Sequence, residues 1–132
     1  MLKIVLFEPE IPPNTGNIIR LCANSGCSLH LIEPLGFDLE DKKLRRAGLD
    51  YREFASVRRY PSIESFAQQQ GNPRIFAATT KGQTSYDRIQ YQRGDAVLFG
   101  PETRGLPPSV LENLGTERTI RIPMKPDSRS LN

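Results

Sequence analysis

The chain has 132 residues, 37% of them hydrophobic and 25% charged, enough for one domain with a modest core. Eighteen Lys and Arg against 15 Asp and Glu give a formal charge of +3, which permits an anionic partner such as nucleic acid without demanding one. There is no apolar run long enough to span a membrane and no signal-peptide cleavage site, and Cys22 and Cys27 lack a metal or redox spacing, so a cytoplasmic protein with reduced thiols is expected.

Residues 2–7 are mostly apolar and rich in β-formers, the pattern of a strand buried on both faces. Pro9, Pro12 and Pro13 then impose a loop. Asn14 or Thr15 is the expected cap of a helix that stops at Gly26, with Ile18, Ile19, Cys22 and Ala23 as its apolar face. Asn14, Asn17 and Arg20 recur at intervals of three and so share a face, which is polar where a core face would be apolar; a solvated surface accounts for this as well as a binding surface does. Residues 29–32 read as a second buried strand. It contains the only histidine, His30, expected there as a core or edge residue rather than a catalyst. Residues 38–46 read as a short helix whose Lys42, Lys43, Arg45 and Arg46 form a wet face, and are the expected phosphate contacts if the chain binds RNA.

A short strand is expected at 54–57, a helix from a Ser62 cap through Gln70, a strong strand at 74–79 and a polar loop at 83–95. Residues 96–99 form another buried run. It breaks at Gly100-Pro101, where the absence of a Cβ would let a ligand approach the backbone, and it is followed at once by Glu102 and Arg104. Pro107-Pro108 opens a helix that Gly115 ends, and 119–122 is the last strand.

Continuous apolar strands alternating with helices indicate a parallel sheet covered on both faces. In such a sheet the strand ends at Ala78, Gly100 and Ile122 lie on one edge and can converge on one ligand. The chain has no G-x-G-x-x-G after its first strand, no P-loop, no metal-ligand spacing and no G-x-S-x-G elbow. What remains is a site of backbone groups with Asn, Arg, Glu and Ser. Such a site can hold a neutral heterocycle and suits transfer from an already activated donor, where alignment supplies most of the rate.

Three blocks resemble the three motifs of the SPOUT class of RNA methyltransferases. They are Pro12-Pro13-Asn14-Thr15-Gly16-Asn17-Ile18-Ile19-Arg20, Leu98-Phe99-Gly100-Pro101-Glu102-Thr103-Arg104-Gly105-Leu106, and the run from Ile120 through Pro123, Ser128 and Ser130 to Asn132. Their order, their spacing and the intervening residues 44–51 are similar to the minimal TrmL/YibK-type group, which methylates the 2'-hydroxyl of cytidine or uridine at tRNA position 34. The resemblance implies an α/β parallel-sheet domain with a C-terminal trefoil knot. It implies S-adenosylmethionine held by the loops at Ala78, at Gly100 and from Ile122 to Ser130, with tRNA as substrate, a homodimer joined through the first and last helices, and neither metal nor membrane. It also implies that Arg20 stands at the reacting ribose with Asn14 supporting it, and that Glu102, Ser130 and Asn132 surround the site. A guanidinium is a poor base, so the simpler role for Arg20 is to hold phosphate and stabilise developing alkoxide charge. Methylation of another RNA such as ribosomal RNA, or a non-catalytic RNA-binding module of the same fold, are the alternatives. The family continues past Asn132 with a further apolar helix, so residues 1–132 are expected to be one methyltransferase domain cut short at its C-terminal end, weakly active or inactive, and either poorly dimeric or aggregation-prone.

Overall fold

In the computed structural model, which describes residues 2–37, 56–80 and 82–122, the apolar runs become strands of one sheet. They are β1 (Lys3–Phe7), β2 (Ser28–Ile32), β3 (Val57–Tyr60), β4 (Ile75–Ala78), β5 (Thr84–Ser85), β6 (Ala96–Phe99) and β7 (Thr119–Arg121). Their order is β3-β2-β1-β6-β4-β7-β5, and every adjacent pair is parallel. Among the described residues the α-helices are α1 (Pro12–Ser25), α2 (Ile63–Gln69) and α3 (Pro108–Leu114). Together these form the expected parallel α/β fold.

Alternation along the strands builds two cores, because successive side chains point to opposite faces. Val5, Phe7, Ile32, Ala96 and Leu98 pack with Tyr60, Phe66 and Ile75 on the face that α2 and α3 cover through Ile63, Val110 and Leu114. Leu6, Leu29 and Leu31 pack against Ile19 and Cys22 of α1 on the other face. Beyond α1 on that face, Phe76, Val97 and Ile120 form a third cluster with Ile89 and Tyr91. His30 is part of the interior: its Nδ1 lies 2.8 Å from the Tyr60 hydroxyl and its Nε2 2.9 Å from that of Ser28.

The helix ends follow local chemistry. Gly26, at φ 81°, closes α1 by donating its N–H to Cys22, and the Ser62 hydroxyl accepts the Ser65 N–H at 3.0 Å to cap α2. Three sequence expectations are corrected. The cap of α1 is Ile11, not Asn14 or Thr15: Pro12 and Pro13, with φ already set for a first turn, start the helix earlier and leave both polar residues inside it. The strand expected at 54–57 is β3 at Val57–Tyr60, because pairing Val57 with Leu29 and Tyr60 with Ile32 buries Tyr60. The loop at 83–95 contains β5, a two-residue strand that owes its existence to pairing with β7 and is too short to carry a hydrophobic period. The expected helix at 38–46 with its basic face, the 44–51 block, and the third motif beyond Ile122, with the knot and residues Ser130 and Asn132, lie outside the described residues.

Candidate functional site

The three strand ends singled out by sequence do come together. β6, β4 and β7 are consecutive in the sheet, with Leu98 beside Ala77 and Ala78 beside Ile120. Ala78, Gly100 and Ile122 therefore leave the same edge within about two residues of one level, all half-buried. The Thr79 N–H donates to the Ile120 carbonyl at 3.0 Å, tying the exit of β4 to β7. Gly82 then passes so close that a Cβ there would lie 2.3 Å from the Ile120 carbonyl carbon. The need for glycine at 100 is different from the one expected. A Cβ there would meet the Leu106 nitrogen at 2.5 Å, so the space is filled by the turn's own backbone.

A crevice opens one strand away, between β1 and β6. Here the connections diverge: β1 leads through α1 to its neighbour β2, while β6 leads past β4 to β7. That divergence is a topological switch point, where open parallel sheets leave room for ligands. Asn14, Thr15 and Ile18 of α1 line one side, Phe99, Gly100 and Glu102 the other, with Leu6 and Pro9 completing it.

Reciprocal carboxylate contacts hold the two loops in place. Glu102 accepts the backbone N–H of Glu10 at 3.1 Å on Oε1 and that of Ile11 at 2.6 Å on Oε2. In return Glu10 Oε1 accepts the Thr103 N–H at 2.9 Å and the Thr103 hydroxyl at 2.7 Å. The Arg104 guanidinium reaches Glu8 at 3.3 Å and Glu10 at 3.6 Å. The Thr103 hydroxyl, then its amide, and Arg104 hold the Glu10 carboxyl below the ordinary carboxylate range. Glu8 adopts φ 48°, a left-handed conformation uncommon outside glycine, at the bend where β1 turns into this loop.

Among the expected site residues, Asn14, Glu102 and Gly100 share the crevice, and Ala78 and Ile122 stand at the adjacent strand ends. Arg20 sits half-buried further along α1 and is not among the residues lining the crevice, and Asn17 is exposed. The three do not act as one stripe: each step of three residues drifts about 60° in the same direction round a helix, so Arg20 lies about 120° from Asn14, and it is Ile18, four on from Asn14 and about 40° away, that shares its side. Glu102 makes its contacts with backbone amides, so its place is to position the first loop. The contacts of Glu8, Glu10, Thr15 and Thr103 are not among those that the sequence singles out, whereas Arg104 is, as the cation that follows Gly100. The charge opposite to Arg104 is the available signal for Glu8 and Glu10. Among the described residues no group of three or more His, Cys, Asp or Glu could hold a metal ion. No charged side chain belongs to the strand-end residues Ala78, Gly100 and Ile122, a neutral, half-buried surface that fits an adenine-bearing cofactor.

A parallel α/β sheet with paired loops at its switch point, and a family pattern matched over residues 1–132, define the class: the chain belongs to the SpoU rRNA methylase family. Within it, the chain is 61% identical over 132 residues to the tRNA (cytidine(34)-2'-O)-methyltransferase of Aeromonas hydrophila subsp. hydrophila, an alignment covering all of this chain and 85% of that one. A solved structure that gives "structural insights into the 2-OH methylation of C/U34 on tRNA" superposes with a TM-score of 0.89 at 45% identity, covering 100% of this chain and 86% of the other. An AdoMet-bound rRNA methyltransferase from Sinorhizobium meliloti superposes with a TM-score of 0.81 at 26% identity, covering 99% of this chain and 50% of that one.

Proposed function

We propose that the protein transfers a methyl group from S-adenosylmethionine to the ribose 2'-hydroxyl of the wobble nucleotide, position 34, of tRNA. The observation that carries this is the crevice built by Asn14 of α1 and the Glu102 loop beside the β6-β4-β7 ends, in a chain 61% identical throughout to a tRNA (cytidine(34)-2'-O)-methyltransferase. Ala78, Gly100 and Ile122, with Ser130, are the residues assigned to hold the cofactor, which when bound supplies an activated methyl group. The rest of the work falls to the chain: a site of neutral backbone groups orients, and orientation supplies most of the rate when the donor is already activated.

A ribose hydroxyl is a weak nucleophile until its proton is removed or polarised. Arg20 donates hydrogen bonds and cannot accept one, so its part is to hold the neighbouring phosphate and stabilise charge developing on the oxygen. Asn14, in the crevice, orients the ribose, and Asn132 is assigned to the same site. Glu102 keeps the loop at Glu10 and Ile11, which leads into α1, against the Gly100 loop. The protein works as a homodimer in the cytoplasm with α1 at the interface, and Leu21 on α1, 65% exposed, supports that reading. The third motif completes a trefoil knot around the cofactor.

Mass spectrometry of nucleosides from tRNA incubated with protein and S-adenosylmethionine tests the proposal. 2'-O-methylcytidine or 2'-O-methyluridine at the first anticodon position is expected; methylation confined to ribosomal RNA would overturn the choice of substrate. Replacing Arg20 with alanine is expected to leave binding of S-adenosylhomocysteine intact while turnover disappears, since the loss falls on the transition state. Turnover near wild type would remove Arg20 from the mechanism.

A further inference from the structure

Among the described residues, the Thr15 hydroxyl is a buried side-chain oxygen that finds no hydrogen-bond partner, in a residue only 1% exposed. Buried polar groups are nearly always paired, so an orphan asks for a reason. Inside a helix a threonine hydroxyl can turn to the carbonyl four residues back. Here that carbonyl belongs to Ile11 and already accepts the N–H groups of Asn14 at 3.1 Å and Thr15 at 3.3 Å. Leu6, Ile18 and Phe99 around the crevice are apolar, and Glu102 is engaged by two backbone amides.

We propose that Thr15 contacts the substrate complex directly: its hydroxyl gains its partner from a sugar hydroxyl that enters the crevice on binding. This rests on the function proposed above and assigns it a residue outside the expected set. A neutral, hydroxylated ligand fits because the Glu102 carboxylate disfavours a phosphate there, while threonine can both donate to and accept from a sugar hydroxyl. Both the RNA and the cofactor carry a ribose, so either can supply that hydroxyl.

Thr15→Val and Thr15→Ser, in the full-length protein, test this. Valine keeps the shape and removes an oxygen that is unpaired in the free protein, so its Tm is expected to equal or exceed that of the wild type. Its kcat/KM for tRNA is expected to fall about fivefold or more, the worth of one lost hydrogen bond, and serine is expected to restore most of it. Calorimetry with S-adenosylhomocysteine separates the sources. Weakened binding by the valine variant assigns the hydroxyl to the cofactor, and unchanged binding with lowered kcat/KM assigns it to the RNA. A valine variant within twofold of wild-type kcat/KM overturns the inference and leaves the proposed function standing. A fall in Tm alongside activity also overturns it, since the hydroxyl would then be paired in the free protein. A wild-type protein that methylates no RNA overturns both.

Discussion

Glu102 shows how a charged residue at a site can serve geometry before chemistry. Its carboxylate satisfies the amides of Glu10 and Ile11, which open α1 and have no helical partner of their own. Glu102→Ala strands both amides. After allowance for solvent at this half-exposed position the cost is about 1–2 kcal/mol. A Tm several degrees lower, together with reduced turnover, is expected in calorimetry and a methyl-transfer assay; an unchanged Tm would mean that the loop holds without it. His30 makes a separate prediction. Burial first, then Arg58 and Lys3, push its pKa down from 6.5 to about 4. A neutral ring suits its place between the hydroxyls of Ser28 and Tyr60, with Gln70 donating to Tyr60 at 2.9 Å. The unfolded chain protonates near 6.5 and the folded one near 4, so between these values the unfolded state binds more protons. The His30 contribution is therefore whole above 6.5 and falls away as the pH drops to about 4, by about 3 kcal/mol. Urea titrations of wild type and His30→Gln at neutral pH and near pH 4.5 should show a larger acid loss in the wild type; equal losses would contradict the assignment.

Among elements, the joint between β4 and β7 is the most exacting. β7 is only three residues long and is bordered by β4 and the two-residue β5. Gly82 crosses it with no room for a side chain: an added Cβ would lie 2.3 Å from both the carbon and the oxygen of the Ile120 carbonyl. Backbone cannot yield as a flexible side chain can, so Gly82→Ala is expected to cost about 2 kcal/mol or more. The damage should be local at first. Hydrogen exchange is expected to quicken at Thr79, whose N–H binds Ile120, and in β5, while β1 and β2 stay protected. Uniform quickening across the sheet would show that the joint is not a separate unit. If Ala78 and Ile122, which flank this joint, hold the cofactor as proposed, S-adenosylhomocysteine affinity should fall with it.

For the whole molecule, the sheet order sets which surfaces are available. α1 covers one face over β1 and β2 and leaves Leu21 outward, 65% exposed, on a helix whose inward side is buried Thr15, Ile19 and Cys22. If α1 joins two subunits, Leu21→Asp places a charge in that contact and is expected to shift the sedimentation of the full-length protein from dimer to monomer, with secondary structure retained. A dimer indistinguishable from wild type would move the interface elsewhere. The Arg74–Asp95 pair, with Nε to Oδ1 at 3.0 Å, lies where β4 and β6 begin, at the opposite edge from the site, so it anchors the sheet without entering the chemistry.

What the sequence determined by itself was local. Apolar runs marked β1, β2, β4 and β6 because each is buried on both faces, and Gly26, Ser62 and Gly115 marked helix ends because capping depends on a few neighbouring residues. Motif order was also legible, and with it the family and the convergence of Ala78, Gly100 and Ile122. Only the tertiary structure decided that β6 enters between β1 and β4, opening the crevice beside Asn14 and Thr15. It likewise decided that β5 forms, and that Glu10 and Glu102 grip loops 91 to 93 residues apart. Those contacts leave no periodicity in the chain. Which carboxylate meets which amide depends on where the strands pair, and that is set by the burial of the whole sheet rather than by neighbouring residues.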